Sequence, residues 1–138
     1  MIRKTNKETI APYLIDASNH PKGNAEEVLI PETVNELISF LEKDSRLITI
    51  AGAGTGLTAS RIPFEGVVIS LESFNEIGSV ENNEVWVGPA TTLLQLRDYL
   101  KHTVWFYPPN PTEWNASIGG TLATNASGSR SYKFGVTR

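Results

Sequence analysis

Cysteine is absent from these 138 residues, which rules out disulfides, iron–sulfur clusters and any thiol nucleophile within the chain. That absence leaves the compartment open, because cysteine-free chains fold in either redox environment. Long apolar runs are missing too, and no stretch approaches the ~20 residues of a membrane-spanning helix. Met1–Glu8 starts with basic residues, yet Thr9–Asp16 is short and interrupted by Pro12, so it does not read as a signal-peptide core. Cytoplasmic residence is therefore the default expectation. No basic excess exists either: 12 Lys and Arg stand against 15 Asp and Glu, a net charge of −3, which offers no footprint for nucleic acid. Of the two histidines, His20 sits in a proline turn and His102 follows a helix end; both read as surface residues rather than catalytic bases.

What remains is ordinary for a globular domain, with 40% hydrophobic and 20% charged residues in a length that buries a core unaided. Residues 1–27 are polar, are broken by Pro12, Pro21 and Gly23, and read as an irregular N-terminal segment ahead of a domain over 28–138. Val28-Leu29-Ile30, closed by Pro31, is the apolar run of a buried strand. Thr33-x-x-Glu36 is a capping box, and Val34, Leu37, Ile38 and Leu41 at i, i+3, i+4, i+7 predict a helix with that stripe against a sheet. Leu47–Ala51 and Val67–Leu71 are strand-like, as is Glu84–Gly88. Thr92-x-x-Gln95 is a second capping box, followed by Leu93, Leu96 and Leu100 on one helical face. Trp105–Pro109 is expected to be extended, because proline biases its predecessor away from helix. Trp86, Trp105 and Phe106 are expected in the core.

Two glycine-rich, nearly uncharged segments stand out: Ala51-Gly52-Ala53-Gly54-Thr55-Gly56, and the stretch from Asn110 to Gly128. Glycine lets backbone amides approach a ligand, and Ser, Thr and Asn add short neutral hydrogen-bonding groups. Converging, two such loops would cradle a large phosphate-bearing cofactor without lysine. The first segment is neither a Rossmann nor a Walker loop. It lacks the third glycine of G-x-G-x-x-G and any Gly-Lys-Ser/Thr, and it runs towards a strand rather than a helix. It is expected to bind phosphate through turn amides alone, as an anion nest. Ile118, Leu122 and Ala123 occupy packing positions in the second segment, which sets it apart from a flexible linker.

In order and wording these segments resemble the flavin-binding domain of the vanillyl-alcohol oxidase (p-cresol methylhydroxylase) superfamily, above all its glycolate oxidase and D-lactate dehydrogenase branch. Ala51–Leu57 is similar to the pyrophosphate loop R-G-(A/G)-G-T-(G/S), with Ala51 where many relatives carry arginine. Pro108-Pro109-Asn110-Pro111-Thr112-Glu113-Trp114 with Ser117-Ile118-Gly119-Gly120 resembles P-P-D-P-(S/T) and (S/T)-(I/L)-G-G, which lie beside the flavin ring system; Asn110 replaces a frequent aspartate. Thr124-Asn125-Ala126-Ser127-Gly128 with Lys133-Phe134-Gly135 resembles T-N-A-S-G and K-Y-G. Glu113-Trp114 and Thr124–Ser127 are also similar to loops of the ether-lipid synthase of that superfamily.

The resemblance implies an α+β fold, a small sheet with packed helices forming the N-terminal part of a p-cresol-methylhydroxylase-type FAD-binding domain. It further implies that this domain continues past Arg138 and that a substrate domain follows it. The residues it assigns to the cofactor are Ala51, Gly52, Ala53, Gly54, Thr55 and Gly56; Asn110, Pro111, Thr112, Glu113 and Trp114; Ser117, Ile118, Gly119 and Gly120; and Thr124, Asn125, Ala126 and Ser127. Glu113 is expected to orient its loop through backbone amides. The implied cofactor is FAD, held non-covalently, since the pyrophosphate loop has no histidine and the chain no cysteine. The implied reaction oxidises a small D-2-hydroxy acid such as lactate or glycolate by hydride transfer to the flavin, with base and substrate-carboxylate ligand outside this chain and no catalytic residue within it. No metal and no particular electron acceptor is implied. The alternatives are a same-fold enzyme such as an ether-lipid synthase or aldonolactone oxidase, or a non-catalytic flavin- or nucleotide-binding module or subunit. An apolar face left open where further strands would pack is expected to favour self-association.

Overall fold

The apolar run before Pro31 becomes the middle of a sheet. In the computed structural model, which describes every residue from Met1 to Arg138, Ile2–Lys4 (β1), Glu27–Ile30 (β2), Ile48–Ala51 (β3) and Val67–Ser70 (β4) assemble in the order β1-β2-β4-β3. β1 runs antiparallel to β2, whereas β2, β4 and β3 are parallel. Every residue of β2 and β4 is buried. Val28, Ile30 and Val68 pack with Ile10, Leu14 and Ala25, while Leu29, Val67 and Ile69 form a separate cluster with Phe40. Strands covered on both faces read as continuous apolar runs, which is why both were legible.

Expectations about this half of the chain need correction. The first 27 residues are not simply irregular, because they supply β1, a one-turn helix Lys7–Ile10 (α1) and a 3-10 turn over Ala11–Tyr13. Ile10 and Leu14 are buried in the core, so an apolar residue every fourth position sufficed despite the prolines. The helix after β2, Val34–Leu41 (α2), is capped by the Thr33 hydroxyl accepting from the Glu36 amide, but the predicted capping box is only half formed, because the Glu36 carboxylate accepts from the Glu32 amide instead of the Thr33 amide. Its buried face, however, is Leu37 and Phe40, while Val34, Ile38 and Leu41 are exposed. At 100° per residue the apolar stripe is turned about a quarter-turn from the buried face.

The molecule divides into two compact units, Met1–Ser73 and Phe74–Arg138. The second opens with a hairpin of Ile77–Glu81 (β5) and Glu84–Val87 (β6). Its turn residues Asn82 and Asn83 both take positive φ, 51° and 69°, the geometry of a two-residue type I′ turn. Trp86 is 89% exposed, contrary to a core position. Residues alternate across a strand, and here Val85 and Val87 take the inner face. Leu93–Leu100 (α3) starts at a complete capping box between Thr92 and Gln95 and buries Leu93, Leu96 and Leu100, as its spacing predicts. Two short helices follow, Ile118–Ala123 (α4) and Ser131–Phe134 (α5). Within α4 the buried residue is Thr121, while Leu122 and Ala123 are exposed, so only the half-buried Ile118 keeps its expected packing role.

Candidate cofactor-binding site

Ala51 closes β3 with its side chain buried, and the glycine segment leaves the carboxyl end of that parallel strand. In open α/β sheets this is the end at which ligands bind. Gly54 sits at φ +76°, a conformation that L side chains rarely adopt. Two carbonyls of this turn are occupied: Gly54 O accepts from the Ala17 amide at 3.0 Å and Gly52 O from the Arg61 guanidinium at 2.6 Å. Its amides are free. None of the N–H groups of Ala53, Gly54, Thr55 and Gly56 donates to a protein acceptor. Four adjacent unspent donors around a left-handed residue are the kind of donor set an anion nest uses, and their access to solvent keeps them inexpensive until an anion replaces water. The donor set therefore fits a pyrophosphate.

Arg61 lies outside the glycine motif and carries no pattern in the sequence that marks it. Its Nε donates to Ile15 O at 3.1 Å and its Nη2 to Pro12 O at 2.6 Å, in addition to the bond to Gly52. Burial lowers its pKa, with Asp16 and Tyr13 acting weakly the other way, yet an arginine at neutral pH keeps its proton. No carboxylate lies within ion-pair distance of it.

The second segment is built differently. Pro111 bridges Gly128 across an antiparallel pair, and the Asn110 side chain donates to Ser129 Oγ at 2.9 Å. A Cβ on Gly128 would lie 1.6 Å from Asn110 O, so only glycine permits this close approach. Glu113 Oε1 accepts from the Asn115 amide at 2.8 Å, the loop-orienting role expected of it. The carbonyls of Trp114 and Ala116 then accept from the amides of Leu94 and Leu93, fastening the loop to the start of α3. Ser117 caps α4 by accepting from Gly120 N.

The amides that open α4 are already spent. Ile118 N donates to Thr91 O, Gly119 N to Pro89 O, and Thr121 N to Ser117 O. What this segment presents is side chains: Thr112, Asn125 and Ser127 are exposed, and Asn125 is held at φ 47°. Thr124 Oγ1 donates back to Gly120 O at 2.9 Å, and Ala126 is half-buried.

Trp105 and Phe106, expected in the core, instead line an open cleft of about 220 Å³ with Pro109, Asn110, Pro111 and Trp114. Arg97 lies 4.7 Å over the Trp114 ring and Arg130 5.4 Å over Phe106. Arg97, Lys101 and Arg130 face this cleft and no carboxylate does. The interleaving of aromatic and basic residues along 97–130 is the sequence signal that could have found it. A more open depression near 470 Å³, between Met1, Phe40 and Asp44, shares no residue with either glycine segment.

Residues 26–138 match the family described as "FAD binding domain". The chain belongs to that FAD-binding domain family. D-lactate dehydrogenase of Archaeoglobus fulgidus is 36% identical over 109 residues, covering 78% of this chain and 25% of that protein. Glycolate oxidase subunit GlcD of Escherichia coli K12 is 30% identical over 137 residues, covering 94% and 28%. The chain thus spans about a quarter of the length of these relatives. Alkyldihydroxyacetonephosphate synthase superposes with a TM-score of 0.83 at 19% identity, over 97% of this chain and 29% of that one. At that identity the likeness shows the fold, and the α+β architecture of the p-cresol-methylhydroxylase-type FAD-binding domain is the one observed. No helix is long and apolar enough to cross a membrane.

Proposed function

We propose that this FAD-binding domain serves a flavin-dependent oxidoreductase acting on a small D-2-hydroxy acid, lactate or glycolate in type, in the cytoplasm. The observation that carries the cofactor half is the run of four unspent amides at Ala53–Gly56 beside the Gly54 turn. These amides and the Thr55 hydroxyl hold the pyrophosphate. Asn110–Trp114, Ser117–Gly120 and Thr124–Ser127 serve the flavin, through side chains in the case of Thr112, Asn125 and Ser127. The bound FAD supplies the hydride acceptor; the protein supplies position and electrostatics. The attachment is non-covalent, and the base and the ligand for the substrate carboxylate lie outside this chain. Support for the substrate class comes from the relatives named D-lactate dehydrogenase and glycolate oxidase.

Anaerobic titration tests the substrate class. Protein produced from the complete gene is mixed with D-lactate, L-lactate and glycolate while the flavin absorbance is followed. Bleaching by the D-acid or glycolate, but not by L-lactate, is the expected result. A flavin that dithionite reduces but no 2-hydroxy acid does would contradict it.

A further inference from the structure

Arg61 is the only Lys or Arg between Arg46 and Arg97, and it lies against the phosphate turn. A Cβ built on Gly54 would stand 2.7 Å from its Cζ and its Nη1, so the guanidinium is in contact with the backbone at the left-handed residue. Three of the five N–H donors of a guanidinium are spent on Pro12, Ile15 and Gly52, which leaves two uncommitted. Those three carbonyls come from distant points of the chain, so one side chain ties the 12–15 segment to the first residue of the turn. A partly buried cation without a carboxylate partner carries a desolvation cost. Carbonyl dipoles and the Asp16 charge offset part of it, and an anion seated on the adjacent amides would add to that.

We propose that Arg61 is the positioning residue of the Ala53–Gly56 anion site, fixing the turn through Gly52 and placing a positive charge against it. This rests on the phosphate reading of the turn given above, and it adds a residue outside the glycine motif. The ligand class is a diphosphate ester. A neutral flavin without phosphate gains nothing from Arg61.

The test is a titration of the ¹⁵N-labelled chain with inorganic pyrophosphate and with riboflavin, following the amides of Ala53–Gly56 in the parent, Arg61→Lys and Arg61→Gln at two salt concentrations. In the parent, pyrophosphate moves these four amides and riboflavin does not. Arg61→Gln, folded, weakens pyrophosphate binding roughly tenfold, the order for one unit charge a few Å from a solvent-edged anion, and flattens the salt dependence. Arg61→Lys keeps the charge and recovers most of the affinity. Equal losses in Lys and Gln would reduce Arg61 to a brace and overturn the proposal, as would Gln binding like the parent. Should Arg61→Gln fail to fold, Arg61→Lys decides: affinity within threefold of the parent supports the charge role, and a tenfold loss in a folded protein defeats it. If pyrophosphate leaves the parent amides unmoved, the phosphate reading itself fails, an outcome distinct from any difference among variants.

Discussion

Replacing Gly54 by alanine isolates the turn on which the proposed cofactor site depends. The substitution forces a Cβ into φ +76°, at about 1–2 kcal/mol for an L-residue. The new atom also meets the Arg61 guanidinium at 2.7 Å, well inside contact distance. The guanidinium must retreat and loses at least its bond to Gly52, and at most all three carbonyls, at about 0.5–1.5 kcal/mol each once the freed groups reach water. The sum is about 3 kcal/mol, or ~10 °C in Tm for a chain of this size. Thermal unfolding followed by circular dichroism measures it. Gly56→Ala is the control, because a Cβ there meets nothing within 4 Å and no left-handed φ is imposed. That variant is expected to be neutral or stabilised by about 0.5 kcal/mol. Combining Gly54→Ala with Arg61→Ala removes the clash, so the pair should cost less than the sum of the singles. Gly54→Ala melting with Gly56→Ala, or strict additivity of the pair, would refute the argument.

The Arg46 hydrogen bonds hold the Asp44 carboxylate at about 2, below its usual 3.8. A depressed folded pKa contributes stability above pH ~4 that is lost as pH falls towards 2. The Tm of Asp44→Asn should therefore match that of the parent at low pH and fall below it at neutral pH. Thr92→Ala removes the hydroxyl that accepts from Gln95 N at 3.1 Å and should cost about 1 kcal/mol, read as a Tm drop of ~3–5 °C. The 138-residue chain by itself covers about a quarter of its relatives' length and should bind FAD weakly, purify colourless and oxidise no hydroxy acid. With Val34, Ile38 and Leu41 exposed, it should also self-associate in sedimentation velocity; a colourless monomer would limit the claim to cofactor binding.

Sequence pattern was most informative where local chemistry and burial agree. Val28–Ile30 and Val67–Ile69 are apolar throughout because both faces are covered, and Thr33 and Thr92 cap the helices that their spacing announces. It misled where a segment carries apolar residues beyond its buried face. In α2 the burial follows Phe40, which lies off the i, i+3, i+4 stripe. In β6 strict alternation puts Trp86 outward with Glu84, a period that outranks hydrophobicity. The hairpin turn carries little sequence signal because Asn82-Asn83 lacks the glycine that usually marks a type I′ turn. The sequence of α4 reads as a loop since Gly119 and Gly120 lower helix propensity; Ser117 and the carbonyls of Pro89 and Thr91 supply the missing support. The glycine turn itself was legible, but Arg61 was not, because its three carbonyl partners at Pro12, Ile15 and Gly52 are far from it in sequence.

The central claim, a non-covalent FAD whose pyrophosphate rests on Ala53–Gly56, is tested most directly by identifying the flavin. Protein from the complete gene is precipitated with acid, and supernatant and pellet are analysed by chromatography and visible spectrum, for the parent and for Gly54→Val. The account predicts FAD, near one per chain, released entirely into the supernatant of the parent, and a strongly reduced content in the folded Gly54→Val variant. FMN in place of FAD, yellow colour retained by the pellet, or undiminished FAD in Gly54→Val would contradict it.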